Sequence, residues 1–254
     1  MNTLPLCGRT ALVTGGNSGI GLGMALGLAK AGARVGILGR DADKNATALE
    51  QLNHIGKDCV GFVADLTEAD KIPAVYAQAT SDLGGVDILV NNAGTTRRAA
   101  AEDVTLDDWS TTLALNLTAP MLLAQQFARE RIAANKSGSI IFTASLMSES
   151  SRPTTAAYTA SKGGVRQLIK ALAVDWAKYG IRVNGVGPGY IQTELTRTLH
   201  EDSAFNEWVE GRTPLGRWGQ PGDFEGIVAF LASDSASFIT GQIIYVDGGW
   251  LATF

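Results

Sequence analysis

Histidine and cysteine are scarce in this chain, with two of each among 254 residues. Cys7 and Cys59 lie far apart, so an idle or buried thiol is the plain reading, and a disulfide or thiolate metal site is not expected. His54 and His200 form no cluster with cysteines or carboxylates at metal-ligand spacing, so no metal centre is expected either. The charge balance is weak, 21 Lys+Arg against 25 Asp+Glu for a net −4. Without a basic stripe, this argues against nucleic acid as the main partner. No apolar run approaches the roughly 18 residues that span a bilayer, and Met1–Arg9 lacks a charged start followed by a long apolar stretch. No membrane partner is expected, and the expected setting is the cytoplasm with a small-molecule substrate. Linkers, repeats and low-complexity stretches are missing as well, so residues 1–254 read as a single domain.

What is present is glycine, 30 residues of it, much of it where a strand is expected to end. Short apolar runs read as strands at Thr10–Thr14, Arg34–Leu38, Cys59–Val63, Asp87–Asn91, Ser139–Thr143, Arg182–Val186 and Gln242–Val246. Several are apolar nearly throughout, the mark of a parallel sheet covered on both faces. Helical patterns lie between them: Gly19–Ala31, Asp41–Ile55, Glu68–Asp82, two helices in Leu106–Asn135 with a break near Asn116, Thr155–Tyr179 and Pro221–Ala232. Strand–helix alternation predicts right-handed crossovers and a doubly wound α/β sheet. The longest irregular stretch, Tyr190–Arg217, contains an expected short helix at Ala204–Glu210 and sits where a substrate lid belongs.

Two local patterns carry chemistry. Thr14-Gly15-Gly16-Asn17-Ser18-Gly19-Ile20-Gly21 follows the first strand and opens the first helix. Its glycines allow a tight turn and a close backbone approach, and the free amides of the helix start face an anion. A plain strand–helix turn is the alternative. In the long helix, Tyr158 and Lys162 are four residues apart and share a face. A nearby ammonium lowers a phenol's pKa, as proton exchange with an alcohol requires. A surface pair is the alternative, but Ser145 ends the fifth strand thirteen residues earlier. Asn91-Asn92-Ala93-Gly94 ends the fourth strand. Asn116 sits at the helix break, where an amide bonds to freed backbone or water, or caps a helix.

Together with Asp65 and Pro188-Gly189, these residues are those by which the chain resembles the short-chain dehydrogenase/reductase family over essentially its whole length. The resemblance implies a seven-stranded Rossmann-type sheet and hydride transfer between a nicotinamide cofactor and a secondary alcohol or ketone. It implies a tetrad of Asn116, Ser145, Tyr158 and Lys162. Tyr158 is then the acid/base and Ser145 orients the substrate oxygen. Lys162 binds the nicotinamide ribose and depresses the Tyr158 pKa, and Asn116 holds a relay water. Gly15, Asn17, Ser18, Gly19 and Ile20 would meet the phosphates, Asp65 and Leu66 the adenine, and Asn92, Ala93 and Gly94 the adenosine side. Pro188, Gly189, Ile191 and Thr193 would cover the nicotinamide. In this family an acid at the end of the second strand selects NAD(H); here Gly39 holds that place and Arg40 follows. Arg40 clamping a 2′-phosphate favours NADP(H), with NAD(H) possible if Arg40 stacks on the adenine or faces solvent.

The segments Gly94–Arg98, Phe205–Trp218 and Val246–Leu251 resemble the branch acting on sugar acids and polyols, the 2-deoxy-gluconate 3-dehydrogenase and gluconate 5-dehydrogenase branch; small cyclic ketones are neighbouring substrates. Arg97 or Arg98 then binds a carboxylate, or the two form a solvated pair. Trp208, Trp218 and Trp250 either line a pocket or pack. A ketoreductase acting on carrier-protein-bound acyl chains is an alternative needing a basic patch, for which Arg129 and Arg131 are the candidates. A non-catalytic cofactor-binding sensor is a third. The resemblance also implies a homotetramer, with Thr105–Asn135, Thr155–Tyr179 and Trp250–Phe254 as interface candidates.

Overall fold

The computed structural model describes residues 5–56 and 58–253. Seven strands form one sheet: β1 Thr10–Thr14, β2 Arg34–Gly39, β3 Val60–Val63, β4 Ile88–Asn91, β5 Gly138–Thr143, β6 Ile181–Pro188 and β7 Ile243–Val246. Every pairing is parallel and the spatial order is β3-β2-β1-β4-β5-β6-β7. The expected strands are all present, with ends shifted by a residue or two.

Because successive side chains leave a strand on opposite faces, each central strand feeds two cores. Leu12, Leu89, Ile140 and Phe142 point into one, with Leu83, Leu123, Phe127 and Ile169 from the covering helices. Ala11, Val13, Val90 and Ile141 point into the other, with Met24, Leu28, Leu52 and Leu231. The first core is covered by α3 Ile72–Leu83, α5 Ala119–Ala133 and α6 Ala156–Trp176, and the second by α1 Gly19–Lys30, α2 Ala42–Ile55 and α9 Glu225–Ala232. A third cluster, built on Leu146, Val209, Trp218 and Trp250, lies under α7 Arg197–Glu201 and α8 Ser203–Arg212. Among the described residues, no helix is long and apolar enough to cross a membrane.

Leu106–Asn135 departs from the expected break. After α4, Leu106–Leu113, the chain continues as a π-helical turn over Ala114–Thr118 and runs directly into α5. Pro120, at the start of α5, lacks the amide that a continuous α-helix needs there, and the wider turn absorbs the misfit. Asn116 therefore sits inside a continuous helical rod and caps nothing.

Candidate active site

The site lies at the carboxyl edge of the sheet, where the order reverses between β1 and β4 and adjacent crossovers leave the sheet on opposite sides. A groove of about 820 Å³ opens there. Its first wall is the β1–α1 turn. Gly15 takes a left-handed conformation (φ +60°) that favours glycine, and Ser18 precedes α1 in extended geometry. No side chain caps that helix start, so its first amides remain turned to the groove. A Cβ at Gly21 would run into the Gly15 carbonyl, so the turn folds over the helix only with glycine there. Gly15, Asn17, Ser18, Gly19, Ile20 and Gly21 all line the groove.

The turn is fixed by threonine and asparagine side chains. The Thr14 hydroxyl accepts from the amides of Asn92 and Ala93 at 2.9 and 3.0 Å, tying the end of β4 to the end of β1. The Asn92 amide donates to the carbonyls of Thr14 and Gly15 at 3.1 and 3.2 Å, and its oxygen accepts from the Thr143 hydroxyl at 3.1 Å. Asn17 donates to buried Asn45 at 2.8 Å, and Asn45 in turn donates to the Phe62 carbonyl at 3.0 Å. Asn45 escaped the sequence reading, although an asparagine on the inward face of an amphipathic helix is a signal of a buried polar tie.

Beyond the β2 end, Arg40 and Leu66 line the groove, and Asp65 does not. Its carboxylate accepts from the Thr67 amide and hydroxyl at 2.9 and 2.7 Å, closing a turn. The Thr67 amide bond is the main reason its pKa lies below the ordinary range, and nearby Arg40, 3.7 Å away, adds to this. Asp41 caps α2 by accepting from the amides of Asp43 and Lys44. Across the groove mouth, Lys44 and Glu194 form an exposed ion pair at 2.7 Å, a tie between α2 and the segment after β6 that sequence spacing did not reveal.

At the reactive end, Ser145, Tyr158, Lys162, Pro188, Gly189, Ile191 and Thr193 line the same groove. Ser145 follows β5, and its oxygen accepts from the Met147 amide at 3.1 Å. It lines the groove together with the Tyr158 phenol. Burial pushes that phenol above its ordinary pKa, while the nearby Ser145 hydroxyl and the positive charge of Arg98 pull it down. Lys162 is buried and donates to the Thr143 carbonyl at 2.6 Å, with its ammonium 5.7 Å from the centre of the Tyr158 ring. Burial lowers its pKa to about 8. In the chain alone, then, the phenol is raised, not depressed as expected from Lys162. Asn116 does not border the groove. Its oxygen accepts from the Thr95 amide at 2.8 Å, and its nitrogen donates to the Thr95 carbonyl and the Ser161 hydroxyl at 2.9 and 3.0 Å. Both amide hydrogens are thus spent on protein, and their effect is to fix Thr95 in the groove wall.

The arginines separate. Arg97 pairs with Asp108 at 2.8 Å and lies near Asp107 at 3.7 Å, on the outside of α4. Arg98 feels the charge of Arg152 and the phenols of Tyr158 and Tyr190. Arg152, absent from the sequence expectations, donates to the Tyr190 hydroxyl at 3.1 Å and lies 5.0 Å over the Phe205 ring. Tyr190 packs against Phe205, Trp208, Trp218 and Trp250 at centroid distances of 4.8 to 6.0 Å. Trp218 and Trp250 are buried in this cluster and serve packing, while Trp208 stays half exposed. The basic patch considered at Arg129 and Arg131 does not form. Arg131 is buried, bound to Asp87 at 2.9 Å and to the Ser137 carbonyl, because its long side chain closes the end of α5 against β4.

Comparisons with known proteins identify the family. A family model described as enoyl-(acyl carrier protein) reductase matches residues 15–251. The 2-dehydro-3-deoxy-D-gluconate 5-dehydrogenase of Pseudoalteromonas atlantica is 42% identical over 96% of this chain and 96% of its own. The gluconate 5-dehydrogenase of Gluconobacter oxydans is 41% identical over 96% of this chain and 95% of its own. The crystal structure of a gluconate 5-dehydrogenase from Burkholderia cenocepacia, in complex with NADP and tartrate, superposes with a TM-score of 0.94 at 43% identity, covering 100% of this chain and 99% of that one. The chain belongs to the short-chain dehydrogenase/reductase family and is an oxidoreductase acting on CH–OH groups with NAD(P).

Proposed function

We propose that this enzyme interconverts a secondary alcohol and a ketone on a sugar acid, using NADP(H), with Tyr158 as the proton donor and acceptor. The observation that carries the reading is Ser145, Tyr158 and buried Lys162 brought together in one groove that starts on an uncapped helix, with the Lys162 ammonium 5.7 Å from the centre of the Tyr158 ring. The left-handed Gly15 turn and the free amides of α1 suit a pyrophosphate, and Arg40 suits a 2′-phosphate, so the residues present fit the cofactor. Bound there, NADP(H) supplies or accepts the hydride.

Ser145 holds the substrate oxygen beside the phenol. Tyr158 gives its proton to that oxygen in reduction and takes it back in oxidation. Lys162, anchored by Thr143, presents an ammonium to the ribose and lowers the phenol's pKa in the loaded site. Asn116 acts through Thr95 as a positioning residue, holding the wall that carries the relay water. The segment of about 190–217 serves as the lid, and Arg98 near the phenol favours an acid over a neutral sugar. A homotetramer belongs to the same proposal, supported by the exposed apolar side chains Leu106, Trp109 and Val174 on α4 and α6.

The test is oxidation of NADPH and of NADH over keto-sugar acids, ketoses and cyclic ketones. Keto-acid turnover with NADPH is expected, Tyr158→Phe should cut it by about 10²-fold or more while sparing NADPH binding, and Arg40→Ala should weaken NADPH but not NADH. Turnover only with NADH, or only with neutral ketones, removes the 2′-phosphate or the acid assignment respectively.

A further inference from the structure

Two arginines, Arg98 and Arg152, belong to the surroundings of Tyr190, the residue between groove-lining Gly189 and Ile191. The charge of Arg152 lowers the pKa of Arg98, alongside the larger effect of partial desolvation. An anion that sits between or beside two like charges relieves their repulsion. Among the described residues, neither forms an ion pair with a carboxylate, although ten other basic side chains do: Arg9, Lys30, Arg40, Lys44, Lys71, Arg97, Arg131, Arg166, Arg197 and Arg217. Arg97, the immediate neighbour of Arg98, is neutralised twice over.

Arg152 is also mounted in an unusual way. It leaves the loop before α6, six residues ahead of Tyr158, and its backbone carbonyl accepts from the Thr155 hydroxyl at 2.8 Å. Its guanidinium is gripped by the first residue of the lid, through the Tyr190 hydroxyl, and by the Phe205 ring of α8. One bond and one ring face use part of its five N–H donors and leave the rest for a ligand. A planar fork held rigidly in this way matches a carboxylate.

We propose that Arg152 is a specificity-determining residue, which with Arg98 grips the substrate's carboxylate and ties that grip to the lid through Tyr190 and Phe205. The proposal rests on the sugar-acid reading above and names the residue that selects the acid. The carboxylate is held at one end, so the carbon to be oxidised or reduced is set at a fixed distance along the chain, beside Tyr158. An acid-bound enzyme also has a better-anchored Arg152, and so a better-anchored lid.

The experiment compares kcat/KM for a six-carbon keto acid and for a neutral ketose of the same length, with NADPH, in wild type, Arg152→Gln and Arg152→Lys. The acid-over-neutral ratio is expected to fall at least about tenfold in Arg152→Gln, mainly through the KM for the acid, and to recover in part in Arg152→Lys. NADPH fluorescence titration checks that each variant keeps its folded cofactor site. A ratio unchanged within about twofold, with the acid still turned over by wild type, overturns the Arg152 assignment and leaves the sugar-acid reading intact. Wild type turning over only the neutral ketose overturns both. If Arg152→Gln does not fold, wild type is tested for inhibition by an inert dicarboxylate against its diamide, together with Tyr190→Phe. At least about tenfold tighter binding of the dicarboxylate, weakened in Tyr190→Phe, is expected; equal inhibition by the two overturns the proposal.

Discussion

Lys162 carries a charge inside the protein, where its ammonium donates to the Thr143 carbonyl. Its pKa in the folded chain is about 8, against 10.5 ordinarily, because burial disfavours the ammonium. Below pH 8 both folded and unfolded chains hold the proton, and folding bears the full burial cost. Between about 8 and 10.5 the unfolded chain binds more protons than the folded one, so this group makes stability rise with pH. Relative to Lys162→Met, cofactor-free wild type should therefore gain on the order of 2 kcal/mol between about pH 7 and about pH 9.5. Urea unfolding at the two pH values measures it, and parallel behaviour of the two proteins would mean the ammonium bears no such cost. Tyr158 and Lys162 were legible in the sequence because four residues on a helix share a face, a purely local rule. Arg152, Asn45 and Lys44 were not, because their partners lie 38, 28 and 150 residues away. The Asp65 carboxylate meets a partner close in sequence, its own next-but-one neighbour Thr67.

Among the elements, α1 is the most constrained. It lies backbone to backbone against the segment that leads into α9: a Cβ at Gly23 would run into the Pro221 carbonyl, and one at Gly27 would lie 2.5 Å from the Glu225 Cα. Backbone cannot rotate aside as a side chain can, so Gly23→Ala should cost about 1–3 kcal/mol or more despite the better helix propensity of alanine. The urea midpoint of the variant reports it, and a neutral or stabilising result would mean that the two segments are further apart than described. Element type was legible almost everywhere from strand-like apolar runs and capping residues such as Asp41. The π-helical turn at Ala114–Thr118 was not, since Asn116 and Pro120 signal an interruption without saying whether the chain breaks or only widens. The helix α7 was also missed, because five residues with Leu199 as their single apolar member show no apolar period.

At the scale of the whole molecule, the groove is bounded by parts that only the complete sheet brings together. Strand alternation made the doubly wound class readable, while contacts such as Lys44–Glu194 needed the spatial order of the strands. That ion pair spans the groove mouth, with both side chains solvent-exposed. Glu194→Gln should speed NADPH release by about two- to fivefold, an advantage that high salt erases from wild type. Stopped-flow displacement of the cofactor measures this, and equal release rates at low salt would leave the pair a surface contact only. The seat of α1 has a consequence for biosynthesis. The phosphate loop and its helix emerge from the ribosome early, yet the surface they rest on, residues 221–225, arrives more than 190 residues later. A nascent chain thus makes its cofactor loop early and secures it late, so a chain released short of α9 would carry the binding motif without the means to hold it in place.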